Sequence, residues 1–361
     1  MLKRGISKSI GHIDGHCHRK QLNWLVFVLT VLCCALVSHP PALSAKPIRL
    51  ELASGFHQAD PLFGQQISAL ITKLKSSKID EVRLRRSRRA MGASTRQMID
   101  LMQVGSIDGA LIDPVRLGYR PAIAQLFGGI PFGPTATQIV EWSSSSEGRQ
   151  QMISDFEAVG VHPLLCGHSD SYSGVFARQA FAWPAQAHQT TVHAKGIGED
   201  IYQSLGFLAR QLPVADLYMA YATGVADLLV SLNPAMDARS GFAQVSDYFY
   251  YPSWERNSAF ALLLIGTDPW QSFSDDARTA IALACEALNS NPRNHNIDAT
   301  LTQIQQQGSS DTIVQPWPTA FTADAHKQWL ASSAVLVSKY PSLAPAFRAL
   351  KIPGGLTTLP K

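Results

Sequence analysis

From residue 48 onward the apolar positions keep two rhythms. Ile48, Leu50 and Leu52 alternate with Arg49 and Glu51, the period of two that marks a half-buried strand. Ile67, Leu70, Ile71 and Leu74 recur three and four apart, as one face of a helix does. Ser94 stands ahead of Met98, Ile99 and Met102 as a helix cap, and Thr135 opens a helix over 135–142. Leu111-Ile112 reads as the end of a buried strand, and 163–166, 175–177, 191–193 and 225–232 read as further strands. Helices are predicted over about 198–205 and 214–222. Ser274, Asp275 and Asp276 cap a long helix that runs through Leu288. The C-terminal third is helical, with Trp329, Leu330, Val335 and Leu336 assigned to one face; the serines at 143–146 read as a short loop. Strands that alternate with helices in this way predict an α/β architecture.

No change of composition cuts the chain in two. That fits two lobes whose segments cross between them more than once, with a ligand cleft between the lobes. The expected division puts 46–170 and a return segment of about 256–300 in the first lobe. The second lobe takes 171–255 and C-terminal helices of about 301–361. Residues 1–45 break the pattern. Lys3, Arg4, Lys8, Arg19 and Lys20 precede an apolar run over 24–37, followed by Pro40-Pro41 and the small residues Ala42, Ser44 and Ala45. This is the layout of a signal peptide, and export to the periplasm is the expectation. The apolar run is shorter than the roughly 18 residues a membrane span needs, although an uncleaved anchor is the alternative reading. Lipid attachment at Cys33 or Cys34 is disfavoured by the bulky Leu32 before them.

The leader also carries the charge. Five Lys/Arg and one Asp give it +4, the net charge of the whole chain, so the remainder is near neutral. A general nucleic-acid partner is thereby excluded. The basic run Arg83, Arg85, Arg86, Arg88 and Arg89 has no aromatic residues between its charges and reads as a solvated strand edge or loop, with a docking patch as the sharper alternative. Outside the leader only Cys166 and Cys285 remain; two distant cysteines establish no disulfide, and each reads as a small buried hydrophobe. Gly167-His168-Ser169-Asp170-Ser171 collects serine, histidine and aspartate but fails the Gly-x-Ser-x-Gly pattern, and triad members normally meet from separate segments. No phosphate loop, His-Glu-x-x-His or Cys-x-x-Cys occurs, so no enzyme is expected. Asp113 ends a strand facing the expected cleft and reads as a turn or cap residue.

Three stretches carry a family likeness. They are Gln103 to Ala110 with Leu126-Phe127-Gly128-Gly129-Ile130-Pro131-Phe132-Gly133; Gly196 to Gly206; and Asp216-Leu217-Tyr218 through Asp227 to Tyr250-Tyr251-Pro252-Ser253-Trp254. Together and in this order they resemble the DctP-type solute receptors of tripartite ATP-independent periplasmic (TRAP) transporters, nearest the branch that binds 2-oxo acids. The resemblance implies a two-lobed periplasmic solute-binding protein, type II-like. It implies capture of a small organic anion for handover to integral-membrane TRAP subunits, and no cofactor. Some members of that branch pair through C-terminal helices; the 329–336 face fits either a homodimer contact or packing on its own lobe.

The ligand positions depart from the family. Where the family has an arginine in Arg-x-x-Gly, this chain has His193, with Lys195 two residues on but not aligned. The branch's strand glutamine is matched by Tyr172, its Glu-Trp pair by Val230-Ser231, and its glutamate after the motif tryptophan by Arg256, with Glu255 beside it. In metal-holding members those side chains supply hard oxygen ligands, which Tyr, Val and Arg do not replace. The expectation is therefore an anion site without metal, built from Arg256, Tyr172 and His193, with Ser231 as a hydroxyl donor and Phe132 and Trp254 as aromatic lining. The competing readings are that Arg256 pairs with Glu255 or another surface acid, and that the chain is a receptor-derived sensory or interaction protein that has lost the parental ligand.

Overall fold

The computed structural model describes residues 48–76, 82–170, 174–213, 216–230, 234–290, 296–308 and 312–354. The leader reading and the candidate residues Tyr172 and Ser231 lie outside the described residues. Eleven strands are described: β1 Ile48–Ser54, β2 Val82–Arg86, β3 Gly109–Ile112, β4 Val161–Ser169, β5 Val175–Ala177, β6 Thr191–His193, β7 Leu208–Arg210, β8 Leu228–Val230, β9 Tyr248–Tyr250, β10 Ala259–Gly266 and β11 Ile313–Gln315. The helices are α1 Gln66–Ser76, α2 Thr95–Gln103, α3 Ala136–Ser144, α4 Ser146–Glu157, α5 Gly196–Ser204, α6 Leu217–Ala222, α7 Pro234–Ser240, α8 Thr267–Gln271, α9 Asp275–Asn289, α10 Ile297–Gln307, α11 Thr319–Lys339 and α12 Leu343–Ala349.

The strands form two sheets, ordered β2-β1-β3-β10-β4 and β11-β9-β5-β8-β6-β7. The chain leaves the first sheet after β4, builds most of the second, and returns through residues 251–258 to β10. It then goes back to the second sheet as β11. Strand β10 runs antiparallel to both β3 and β4, and all eight of its residues are buried. Its side chains alternate between two layers, as the period of a strand requires. Leu263 and Ile265 pack with Leu70 of α1 and Ile281 of α9; Leu262 and Leu264 face a core shared with Phe127 and Ile139. That core continues into the second sheet through Val175, Val192, Leu228 and Tyr250 and under α11 through Phe321 and Trp329. The opposite face of the second sheet is sealed by Leu217, Tyr221, Ala238 and Ile304 against Phe176, Leu229 and Phe249.

Local chemistry starts the helices where the sequence marks them. Ser94 and Thr135 each accept from the backbone N–H three residues on, while Gln97 and Gln138 reach back, giving two capping boxes. Ser274 caps α9 by accepting from the Ala277 N–H, without the reciprocal bond. The expected loop at 143–146 is corrected. Ser145 ends α3 and caps α4 with no loop between, its hydroxyl accepting from the Gly148 N–H. The turn is that tight because Gly148 has no Cβ; one would stand 2.0 Å from the Trp142 carbonyl oxygen. The strand expected over 225–232 starts only at Leu228, because Val225 and Ala226 turn out of α6 on hydrogen bonds to Ala220; its residues 231–232 lie outside the described residues.

Two further expectations change, and one of two readings is settled. Cys166 on β4 and Cys285 on α9 form a disulfide. The helix face proposed for α11 is split: Trp329 is buried with Phe321, Ala325 and Val337 at helical spacing, while Leu330 and Val335 are 46% and 67% exposed. The arginine run is an edge strand, as one of its readings had it. Arg85 and Arg89 reach Glu51, and Arg86 Nη2 donates to the Gly64 carbonyl. Among the described residues no helix is long and apolar enough to cross a membrane.

Candidate ligand cleft

The segment 251–258, which carries the chain back from the second sheet to the first, is stitched to the glycine-rich crossing at 128–134. The Phe132 N–H donates to the Trp254 carbonyl at 2.8 Å, and Asn257 Nδ2 donates to the carbonyls of Gly133 and Pro134 at 2.8 and 2.9 Å. Gly128, at φ +92°, is required here. A Cβ on it would stand 2.6 Å from the Ser258 carbonyl oxygen and 3.3 Å from Arg256 Nε. The crossing thus seats the Arg256 guanidinium, whose Nε donates to the Ser258 carbonyl at 3.1 Å.

Arg256 then meets Asp113 in a two-pronged pair, Nη1–Oδ2 3.3 Å and Nη2–Oδ1 3.1 Å. Among the described residues the acid it pairs with is thus the buried Asp113, not Glu255 and not a surface acid. Asp113 opens the 3-10 turn Pro114–Leu117 with its backbone, as a turn or cap residue does, but its side chain makes no capping bond and serves Arg256 instead. Arg116 adds a second cation, its Nε 3.6 Å from Asp113 Oδ2. Burial alone would raise the Asp113 carboxyl, yet Arg256, Arg116 and Lys195 together hold it below the usual carboxylate range.

Lys195 is the N-cap of α5, and no side chain caps that helix. The first turn of a helix has N–H groups without partners inside the helix. Among the described residues no hydrogen bond reaches the Lys195 ammonium. Desolvation brings its pKa down to about 7, with Arg116 and Arg256 pushing the same way and Asp113 opposing. Gln125 completes this wall: it is fully buried, its Nε2 donates to the Gly118 carbonyl, and its Oε1 is without a partner among the described residues. These groups surround a narrow cavity of about 40 Å³ lined by Val115, Gln125, Gly128, Lys195, Gly198 and Arg256 among others. Val230 of β8 lines it together with the segments that follow β3 and β6 and the crossing at 251–258.

The expected site residues separate. Arg256 lines the cavity. His193 is corrected: it is 1% exposed, and its Nδ1 accepts from the Leu212 N–H at 2.9 Å, so the ring is committed to the strand edge. Burial lowers its pKa to about 3, with Lys195 adding to the effect, so it is a neutral imidazole at ordinary pH. Phe132 and Trp254 stack on each other, ring centres 5.6 Å apart and 20° between planes, with His326 edge-on to Phe132. They buttress the crossing rather than line the cavity. The sequence pattern does not point to Arg116, Gln125 or Glu255, and it leaves Lys195 two residues off the aligned position. A lone glutamine inside the apolar run Ala122 to Phe127 is nonetheless a readable signal for Gln125.

The fold is shared with solved structures. A TRAP transporter solute-binding protein from Bordetella bronchiseptica, with copurified calcium and picolinate, aligns at a TM-score of 0.73 and 20% identity over 84% of this chain and 91% of its own. One from Pseudoalteromonas atlantica, with bound sodium and pyruvate, aligns at 0.74 and 17% over 85% and 93%. A monocarboxylate 2-oxoacid-binding periplasmic protein from a Nostoc species is 20% identical over 211 residues, 58% of this chain and 55% of that relative. The chain thus spans about half the length of the curated relative it matches. The model of the DctP family, described as bacterial extracellular solute-binding protein, family 7, matches residues 80–340. By that match over more than half of its length, the chain belongs to this family of bacterial extracellular solute-binding proteins.

Proposed function

We propose that the protein is the periplasmic solute receptor of a TRAP transporter and that it holds a small monocarboxylate, of the 2-oxo acid kind, in the cavity beside Lys195. One observation carries the reading. Three cations, Arg116, Lys195 and Arg256, gather around a single carboxylate, Asp113, which Arg256 already engages with both nitrogens. Such a cluster is short of negative charge, and an anion from solution supplies it. Lys195 is the anion's seat; Asp113 and Arg256 are the frame that holds that seat in place. A water needs about 10–15 Å³ of such space, so about 40 Å³ suits a ligand of a few heavy atoms.

The relatives with calcium and sodium raise the question of a metal. A hard cation takes several oxygen ligands, preferably carboxylates. The cavity offers a carboxyl made neutral by burial at Glu255 and the cations Lys195 and Arg256, and behind them stand the already paired Asp113 carboxylate and Arg116. That donor set does not fit a metal ion, and the anion is read as bound directly. The handover partner is the integral-membrane part of the transporter. The lobes divide as 46–170 with 256–300 and 171–255 with 301–361, and the leader directs export.

Titration calorimetry with pyruvate tests the reading. The protein stripped of ligand by unfolding and refolding is expected to bind without added calcium or sodium, and Lys195→Met to bind at least about tenfold more weakly, as loss of a charged hydrogen bond requires. Binding that appears only with a metal, or that survives Lys195→Met unchanged, overturns it.

A further inference from the structure

The cavity has a wall that the anion does not use. Glu255 is 6% exposed, and its Oε1 has no hydrogen-bond partner among the described residues. Its Oε2 lies over the first turn of α5, 2.9 Å from where a Cβ on Gly198 would stand, so only glycine leaves room for it. The carboxyl group lines the same cavity as Lys195, Gln125 and Arg256. No ion pair joins it to a basic residue among the described residues, since Arg256 next to it is turned to Asp113. A carboxylate deprived of both water and a cation is costly, and a proton removes the cost. Burial indeed raises its pKa to about 8, against the pull of the Tyr202 hydroxyl on α5. The other charged groups around the cavity are Lys195 on α5, Arg116 and Asp113 after β3, and Arg256 on the crossing.

We propose that Glu255 selects the ligand's second oxygen: its neutral carboxyl group donates an O–H hydrogen bond to the carbonyl or hydroxyl oxygen on the carbon next to the ligand carboxylate. The proposal rests on the carboxylate reading of the cavity and deepens it, because it makes 2-oxo and 2-hydroxy acids the favoured class over plain alkanoates. A 2-ammonium group in that position would instead need Glu255 ionised, so amino acids are disfavoured. Glu255 is also not the glutamate that the 2-oxo-acid branch places after its motif tryptophan; that position is Arg256.

The test compares pyruvate with propionate, which lacks the second oxygen, by calorimetry on the full protein at neutral pH. The wild type is expected to prefer pyruvate by about tenfold or more, Glu255→Leu to reduce that preference below about threefold, and Glu255→Gln, which keeps an N–H donor, to retain most of it. Both ligands carry the same carboxylate, so effects on Lys195 cancel in the ratio. A preference that Glu255→Leu leaves intact overturns the proposal, as does a preference for L-alanine over pyruvate that Glu255→Gln abolishes. If the Leu variant does not fold, Glu255→Gln decides alone. Wild-type preference for pyruvate should fade between about pH 7 and about pH 9.5 while that of the Gln variant stays flat, and equal pH profiles would refute the role. Wild-type protein that binds neither acid refutes the carboxylate reading itself, whereas binding of both with selectivity indifferent to position 255 refutes only the part given to Glu255.

Discussion

Asp113 and Arg256 stand 143 residues apart in the chain and meet through two hydrogen bonds of 3.3 and 3.1 Å. One closes a strand of the first sheet; the other lies on the segment that leads into its neighbour strand from the second sheet. Because the pair is largely enclosed, removing one partner leaves the other charge stranded. Asp113→Asn should therefore lower stability by about 3 kcal/mol in urea denaturation. It also leaves Arg116, Lys195 and Arg256 uncompensated, so added pyruvate should raise the melting temperature of the variant by more than that of the wild type.

On the proposed reading, anion binding should depend on pH through Lys195. Its pKa of about 7 in the free protein means that part of the population is neutral at physiological pH, and a bound anion favours the charged form. Binding should take up a proton above about pH 7, and affinity should fall as pH rises from there. Calorimetry in two buffers of different ionisation enthalpy reads the uptake directly. In Lys195→Met the component due to this residue should vanish.

Glu255 sets a stability trend of the opposite kind from an ordinary surface acid. Its folded pKa is raised from 4.5 to about 8, so its contribution is whole below the unfolded value and is lost as pH climbs through the folded one. At pH 8 and above, Glu255→Gln should be more stable than the wild type by a few kcal/mol, and at pH 4 the two should nearly coincide. Denaturation curves at both pH values check this.

His193 acts at the acid end. Its folded pKa is lowered from 6.5 to about 3, so the unfolded chain takes the proton first and stability drains as pH falls below 6.5. His193→Asn, with an oxygen to accept from the Leu212 N–H, should have a flatter profile between pH 6.5 and 4 in thermal melts followed by circular dichroism.

The Cys166–Cys285 bond closes a long loop, with a sequence separation of 119. Such a crosslink restricts the unfolded chain, and its reduction should cost about 2–4 kcal/mol, seen as a lower melting temperature in a thiol reductant. Cys285→Ser should melt at the same reduced temperature with or without the reductant.

How far the sequence led differs from element to element. The capping serines at 94 and 274 and the threonine at 135 marked helix starts because a cap is a local bargain between a side chain and the next three N–H groups. Strand β10 and its two layers were not foreseen, because a strand buried on both faces shows no alternation. Within the cleft, alignment to a family pattern pointed at His193, but a shift of two residues along an extended segment changes which side chain enters the cavity, and Lys195 is the one that does. The Asp113–Arg256 pair and the Cys166–Cys285 bond are contacts of distant residues, which spacing along a chain does not encode.

The arginines of β2 lie on the outermost strand of the first sheet, a border where backbone groups are left ready to pair with another chain. Two copies brought edge to edge along that border would press rows of guanidinium groups against each other. Crowded molecules are thus pushed apart before their sheets can fuse, which guards a concentrated solution of this protein against stacking into fibres.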